Sequence, residues 1–213
     1  MSGETARDSR PEFTVRALVA SDIDETARIL AAGFWDDPVW GPAFPEHPDR
    51  LAHALAHWRF MAEQAVRFGE PLVAELPDGR IAAVSTWFPP GEDEVNEADL
   101  PAYAALLRGT IGDAAAEALL AEGELFAEAR PDEPHAYLSM LAVAPEARGL
   151  GIGMRLVAAA LERYDAAGLQ TYLESSNPGN DARYERLGYL PARRIEIPGS
   201  PTVQSYLRPA PPA

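Results

Sequence analysis

Two residue types are missing from this chain of 213 residues: it contains no cysteine and no lysine. Without cysteine there is no disulfide framework, no thiolate metal site and no cysteine nucleophile. Without lysine there is no Schiff base on the chain's own amine. The Walker-type phosphate loop is excluded as well, because its Gly-Lys-Ser/Thr ending cannot be built. All 18 basic residues are therefore arginine, and they stand against 33 acidic ones, for a formal net charge of −15. A chain so short of positive charge does not suit nucleic acid, whose phosphates need clustered basic groups. It suits solubility, or the attraction of a cationic substrate. Long apolar runs are absent too. No stretch has membrane length and no signal-peptide pattern opens the chain, so the expected location is the cytoplasm, with no membrane partner.

What is present is ordinary for a globular domain, with 47% hydrophobic and 24% charged residues. The length predicts one domain with a sizeable core, over 12–208, between disordered tails at 1–11 and 209–213. Strand patterns fall at 13–19, 72–76, 81–88, 135–143, 169–175, 189–197 and 202–208. The third, Ile81 to Phe88, is almost continuously apolar and is expected to be central. Helical spacing runs from Ser21 to about Ala32 and from Pro48 to Phe68, with Leu51, Leu55, Trp58 and Ala62 as the apolar stripe of the second. His53 and His57 lie four apart on that helix and read as solvated surface residues rather than a metal pair, and no metal is expected. Between these helices, Gly33 to Pro45 is a stretch of aromatics, prolines and glycines. Its Phe34, Trp35 and Trp40 either close over a substrate or plug the edge of the core. Two further helices, at 99–108 and 113–129, separated near Gly109 and Gly112, form an insertion between the third and fourth strands. They bring Tyr103 and Phe126 as further candidate walls of a substrate pocket.

The most informative stretch is Leu141-Ala142-Val143-Ala144-Pro145-Glu146-Ala147-Arg148-Gly149-Leu150-Gly151-Ile152-Gly153-Met154. It reads as a strand ending at a proline, a glycine turn, and a helix whose Ile152, Leu156, Ala160 and Tyr164 share one face. Glycines admit positive φ and close backbone approach, and a helix start leaves N–H groups without partners, so the turn suits a phosphate-bearing ligand. The glycine spacing is not that of a dinucleotide-binding Gly-x-Gly-x-x-Gly turn.

Arg148-Gly149-Leu150-Gly151-Ile152-Gly153, preceded by Leu-x-Val-x-Pro, resembles the acetyl-coenzyme A signature of the GCN5-related N-acetyltransferases (GNAT). Downstream, Glu174-Ser-Ser-Asn177-Pro-Gly-Asn180-Asp-Ala-Arg-Tyr184-Glu-Arg-Leu-Gly188-Tyr189 is similar to that family's second coenzyme segment. Arg130 to Pro134, Ala83 to Gly91 and Glu196 to Gly199 are closest in pattern to puromycin N-acetyltransferase and its actinobacterial relatives. The resemblance implies a single-domain α/β (α+β) GNAT fold, a mixed central sheet of about seven strands flanked by helices. It also implies an acetyl-CoA-dependent N-acetyltransferase acting on a primary amine of a small molecule, an antibiotic or secondary metabolite among the options, by direct transfer in a ternary complex. The backbone of Leu141, Ala142 and Val143 would polarise the thioester carbonyl. Arg148 through Met154 would hold the pyrophosphate, with Asn177 or Asn180 also touching the coenzyme. Tyr184 would protonate the leaving thiolate. Glu174, at a strand end after two apolar residues, is the candidate base because burial would raise its pKa. Glu124, Glu128, Asp36, Asp37 and His135 are alternatives, as is proton loss through water. The implied partners are acetyl-CoA and a small amine, in a monomer or homodimer. A non-catalytic acyl-CoA sensor, or an enzyme acting on a protein or peptide amine, are the alternative readings.

Overall fold

A computed structural model describes residues 11–212, and these form seven strands and seven α-helices in one α/β unit. The strands are β1 (Thr14–Ala17), β2 (Leu72–Glu75), β3 (Ile81–Phe88), β4 (His135–Val143), β5 (Gln170–Ser175), β6 (Leu190–Ile195) and β7 (Val203–Arg208). The helices are α1 (Ile23–Phe34), α2 (Trp40–Ala43), α3 (Arg50–Phe68), α4 (Leu100–Ile111), α5 (Asp113–Ala129), α6 (Ile152–Ala166) and α7 (Asp181–Glu185). The tails expected at the two ends lie outside the described residues at 1–10 and 213, and 209–212 follow β7 without regular structure.

The strands form one sheet in the order β1-β2-β3-β4-β5-β7-β6. Every pair is antiparallel except β4 and β5, which run parallel. β3 is buried along its whole length, as its unbroken apolar run predicts. Helices cover both faces. A Cβ added to Gly33 of α1 would fall 2.8 Å from Ala142 Cβ, and one added to Gly153 of α6 would fall 2.8 Å from Val143 Cγ2. Successive strand residues point to opposite faces, so α1 and α6 sandwich the end of β4.

Two features of β4 set up everything that follows. It pairs with β5 only from His135 to Leu138, after which the two strands part. At the same point Thr86 pairs with Met140 while Trp87 pairs with Leu138, so Ser139 is one extra residue against β3. Such a bulge bends a strand and re-aims side chains.

Several expectations need correction. α4 runs through Gly109 to Ile111, and Gly112 alone separates it from α5. The buried face of α3 is Ala54, His57, Trp58, Met61, Ala62, Gln64 and Ala65, while Leu51 is exposed. His57 is therefore a core residue, 1% exposed, with both ring nitrogens unpartnered. The rings of Trp40, Phe44, Trp58 and Tyr103 surround it at 4.6–5.8 Å. The aromatic segment after α1 closes over α3, with Phe34 stacked on Trp58 at 4.8 Å and Trp40 edge-on to it at 5.4 Å. His53 points away from His57 and toward His47, whose ring lies 5.5 Å from its own.

Burial alone depresses the His57 pKa to about 3, so the proton binds mainly to the unfolded chain. Stability then falls as the pH drops below the ordinary value of 6.5. His57→Leu, which removes two unpaired nitrogens at nearly constant volume, should gain about 2 kcal/mol more over the wild type at pH 5 than at pH 8. Urea midpoints at the two pH values measure this, and an equal difference at both would contradict the burial of His57.

Candidate functional site

Where β4 and β5 part, a cavity of about 220 Å³ opens. Leu138, Ser139 and Leu141 line its β4 side, Leu173 to Asn177 its β5 side, and Phe34, Asp36 and Asp37 its α1 side. Arg148, Asn180 and Tyr184 close it. Parting leaves β4 with backbone groups that have no strand to pair with. Ala144 N donates to Ala82 O of β3, and Met140 N to Thr86 Oγ1, also on β3. N–H groups alternate along an extended strand, so the Ala142 amide also faces β3. The amides of Leu141 and Val143 face the opening. Of the three backbone positions expected there, these two are available.

The glycine turn follows directly. Gly149 and Gly151 hold φ of 79° and 72°, conformations that other residues rarely adopt. Gly153 serves packing instead, because its missing Cβ lets α6 seat against Val143. None of the amides of residues 149–154 donates to an acceptor among the described residues. Six unengaged donors at the start of a 15-residue helix can hold an anion. The Arg148 side chain is spent on the fold, donating to Ala32 O at 2.6 Å and Val143 O at 3.5 Å. It ties the turn to α1 and β4.

Tyr184 is 7% exposed, lines the cavity and makes no hydrogen bond to a described residue through its hydroxyl. Burial pushes the phenol up to about 12, so it stays protonated through the neutral range. Asn177 and Asn180 both reach the cavity. The first caps its own turn, accepting from Gly179 N at 2.9 Å, and the second accepts from Arg183 Nη1 at 2.8 Å.

A second cavity, about 450 Å³, lies under the insertion, and Ser139, Glu174 and Ser176 line both cavities. Its walls include Trp40, Tyr103, Leu119, Leu120 and Phe126. Of the aromatics expected to meet a substrate, Trp40, Tyr103 and Phe126 line this cavity and Phe34 the first. Trp35 lines neither and sits under the Arg50 guanidinium, 3.9 Å from its ring centroid.

At the junction, Glu174 Oε1 is enclosed without a partner. Burial pushes this carboxyl up to about 7, against the opposing pull of the Arg130 guanidinium. Arg130 bridges Glu94 at 3.3 Å and lies 4.0 Å over the Tyr137 ring. Glu94 accepts from the Ser139 hydroxyl and from Tyr137 Oη. Asp37 accepts from Ser176 Oγ at 2.7 Å and from the amides of Val39 and Trp40. Asp36 lines the first cavity and Glu124 the second, while Glu128 is exposed. His135 opens β4, four residues or about 13 Å before the bulge, and faces a separate recess.

Sequence reasoning missed Ser139, Glu94 and Glu122, and met Arg130 and Ser176 only within strings. Glu94 and Ser139 carry no local signal. Glu122 did, as a carboxylate on the apolar face of α5 between Leu119 and Phe126. The described residues also place ligand atoms of His47, Asp49 and His53 within 4.8 Å of one another, on the surface and away from both cavities.

Comparison with known proteins agrees with this layout. The family profile "Acetyltransferase (GNAT) family" matches residues 35–189. A histone acetyltransferase HPA2 and related acetyltransferase from Corynebacterium glutamicum is similar, at 25% identity and TM-score 0.74, over 94% of this chain and 98% of that one. A polyamine N-acetyltransferase from Drosophila melanogaster that forms N-acetylagmatine shares the fold, at 19% identity and TM-score 0.58, over 93% and 100% of the two chains. So does arylalkylamine N-acetyltransferase 2 from Aedes aegypti, at 14% identity and TM-score 0.60, over 94% and 100%.

The contact between Gly153 and Val143 can be tested. Gly153→Ala should lower stability by about 1 kcal/mol, because Val143 is stiff at χ1 and cannot swing clear. Adding Val143→Ala should restore most of the loss. Thermal melts of the single and double variants measure the coupling, and purely additive effects would show that α6 is not seated on Val143.

Proposed function

The chain belongs to the GNAT family of acetyltransferases, and on that premise we propose that it transfers an acetyl group from acetyl-CoA to a primary amine of a small molecule, by direct transfer in a ternary complex. The observation that carries this reading is the junction, where a cavity bounded by the parted strands meets an apolar-walled cavity at Ser139, Glu174 and Ser176. The family's co-substrate, acetyl-CoA, supplies the acyl group as an activated thioester. The free amides of residues 149–154 suit its pyrophosphate, and the parted edge of β4 suits its pantetheine arm and thioester.

Each residue's task follows from its surroundings. The Leu141 and Val143 amides stabilise the carbonyl oxygen as it takes up negative charge. Glu174 takes a proton from the acceptor's ammonium, so that the neutral amine can attack the thioester carbon; a carboxyl poised at about 7 is ionised often enough to take it and basic enough to hold it. Tyr184 gives its proton to the departing sulfur. Holding the two substrates on either side of Glu174 supplies much of the acceleration. A pocket enclosed by α4 and α5 favours a small amine over a protein terminus. The puromycin-like strings keep aminonucleoside antibiotics among the acceptors to be tried, and relatives acting on polyamines and arylalkylamines add those classes.

Release of free thiol across a panel of aminonucleosides, aminoglycosides, polyamines, arylalkylamines and peptides tests the reading, with mass spectrometry locating the acetyl group. Tight acetyl-CoA binding with no amine acetylated would favour a sensor. With a good acceptor, Tyr184→Phe should lower kcat roughly ten- to a hundred-fold with little change in KM for acetyl-CoA. Unchanged turnover would remove the acid role. Glu174→Gln should lower kcat/KM roughly a hundred-fold at pH 8. Protonated Glu174 is equivalent to glutamine, so the ratio of wild type to variant should shrink toward unity as the pH falls below about 7. A ratio independent of pH would assign the base elsewhere.

A further inference from the structure

One carboxyl of the acceptor cavity has no part in the transfer as derived above. Glu122 follows Leu119 by three residues and precedes Phe126 by four, and both of those are buried, so it lies on the inward face of α5. Its Oε1 is fully enclosed and unpartnered, and no arginine lies within ion-pair distance among the described residues. Burial, reinforced by the negative charge of Asp37, pushes the carboxyl up to about 7. Glu94 in the same cavity is the contrast, since Arg130, Ser139 and Tyr137 all serve it. A partly buried carboxylate without a counter-charge is costly to hold, and a cationic ligand group would remove that cost.

The position of Glu122 says which cation. Glu174 lines both cavities and faces the reacting amine, whereas Glu122 lines only the acceptor cavity. The reacting nitrogen must reach the junction and give up its proton there. A group paired with Glu122 is therefore a different group, one that keeps its charge. The rest of the lining agrees with this. Among the described residues, Asp93, Glu94, Glu122, Glu124 and Glu174 face a single basic residue, Arg130, across walls of Trp40, Leu119 and Leu120. We infer that Glu122 is a specificity residue that pairs with a second cationic group of the acceptor, so that the preferred substrate is an amine with an aliphatic or aryl body carrying a further ammonium or guanidinium. This rests on reading the larger cavity as the acceptor site.

The test uses isosteric pairs that differ by one charge: hexamethylenediamine against n-heptylamine, and p-xylylenediamine against p-ethylbenzylamine. In the wild type, kcat/KM should favour the diamine of each pair roughly ten- to a hundred-fold, chiefly through KM. Glu122→Gln should remove most of that preference and leave the monoamines within about three-fold. Equal use of both members by the wild type would overturn the inference. So would a preference that survives Glu122→Gln, or a loss of equal size on both members. Binding of the same four amines without acetyl-CoA, followed by calorimetry, gives a readout that does not need turnover. Selective diamine binding abolished by Glu122→Gln, with no amine acetylated, would sink the transferase reading and keep this one. Turnover of monoamines with no preference for diamines would do the reverse.

Discussion

Beyond Leu138 and Leu173 the two parallel strands at the middle of the sheet stop sharing hydrogen bonds. A sheet that loses a ladder at its centre must satisfy the freed backbone groups in another way or leave them for a ligand. β5 finds a partner on its other side, where β7 pairs with it from Thr171 to Ser175. β4 stays bonded to β3 as far as Val143, so neither strand loses its place in the fold. The unsatisfied groups are confined to the facing edges of the opening. The Ser139 bulge lies at the point of parting, where Tyr137 and Ser139 bond Glu94 while Met140 and Ala142 stay in the core. Even the glycine turn depends on this opening, since Arg148 fixes it to Val143 O and Ala32 O at the mouth.

The same opening explains the electrostatics. Carboxyls at its inner end are cut off from water, which disfavours their charged forms. The chain answers with one arginine. Arg130 is stacked on Tyr137 and bridged to Asp93 and Glu94, and its charge also reaches Glu174. Glu122 gets none of it. One cation among several acids keeps the pocket negative, in line with the formal net charge of −15 of the whole chain. Glu122 and Glu174 both bind their protons more tightly in the fold than in the unfolded chain. They therefore cost stability as the pH rises from the ordinary carboxylate range through about 7. A structural ion pair would do the opposite and hold its carboxyl below the ordinary range.

How much of this the sequence carried depended on whether a feature was local. β3 and β4 were legible to the residue because an unbroken apolar run and a proline stop are properties of neighbouring residues. The turn at 148–153 was legible because residues other than glycine rarely adopt the positive φ of Gly149 and Gly151. His57 was misread because a polar side chain on an amphipathic helix is ordinarily at the surface, and its aromatic surroundings come from α2 and α4. Leu51 misled in the opposite sense: it is exposed, although Trp58 and Ala62 of the same stripe are buried. The parting of β4 from β5, the bulge and the Glu94 network are long-range. Glu94 meets Ser139 across 45 positions of chain, and nothing in either neighbourhood announces it.

This division has a physical basis that bears on how such a protein can change its acceptor. Most groups that meet the proposed donor are backbone amides of β4, the turn and the start of α6, joined by the Tyr184 side chain of α7. Residues that meet the proposed acceptor come from α2, α4, α5 and the segment before them, and they contribute side chains. Changing an α5 side chain such as Glu122 alters charge and shape in the larger cavity without disturbing a backbone donor. Changing Gly151 or Gly153 alters the cradle itself, by strain at one and by collision at the other. The fold thus separates the part that must stay fixed from the part that can vary, and it joins them only at Ser139, Glu174 and Ser176. On the proposed assignment, an acceptor's identity can be rewritten in the insertion so long as its reacting nitrogen still arrives beside Glu174.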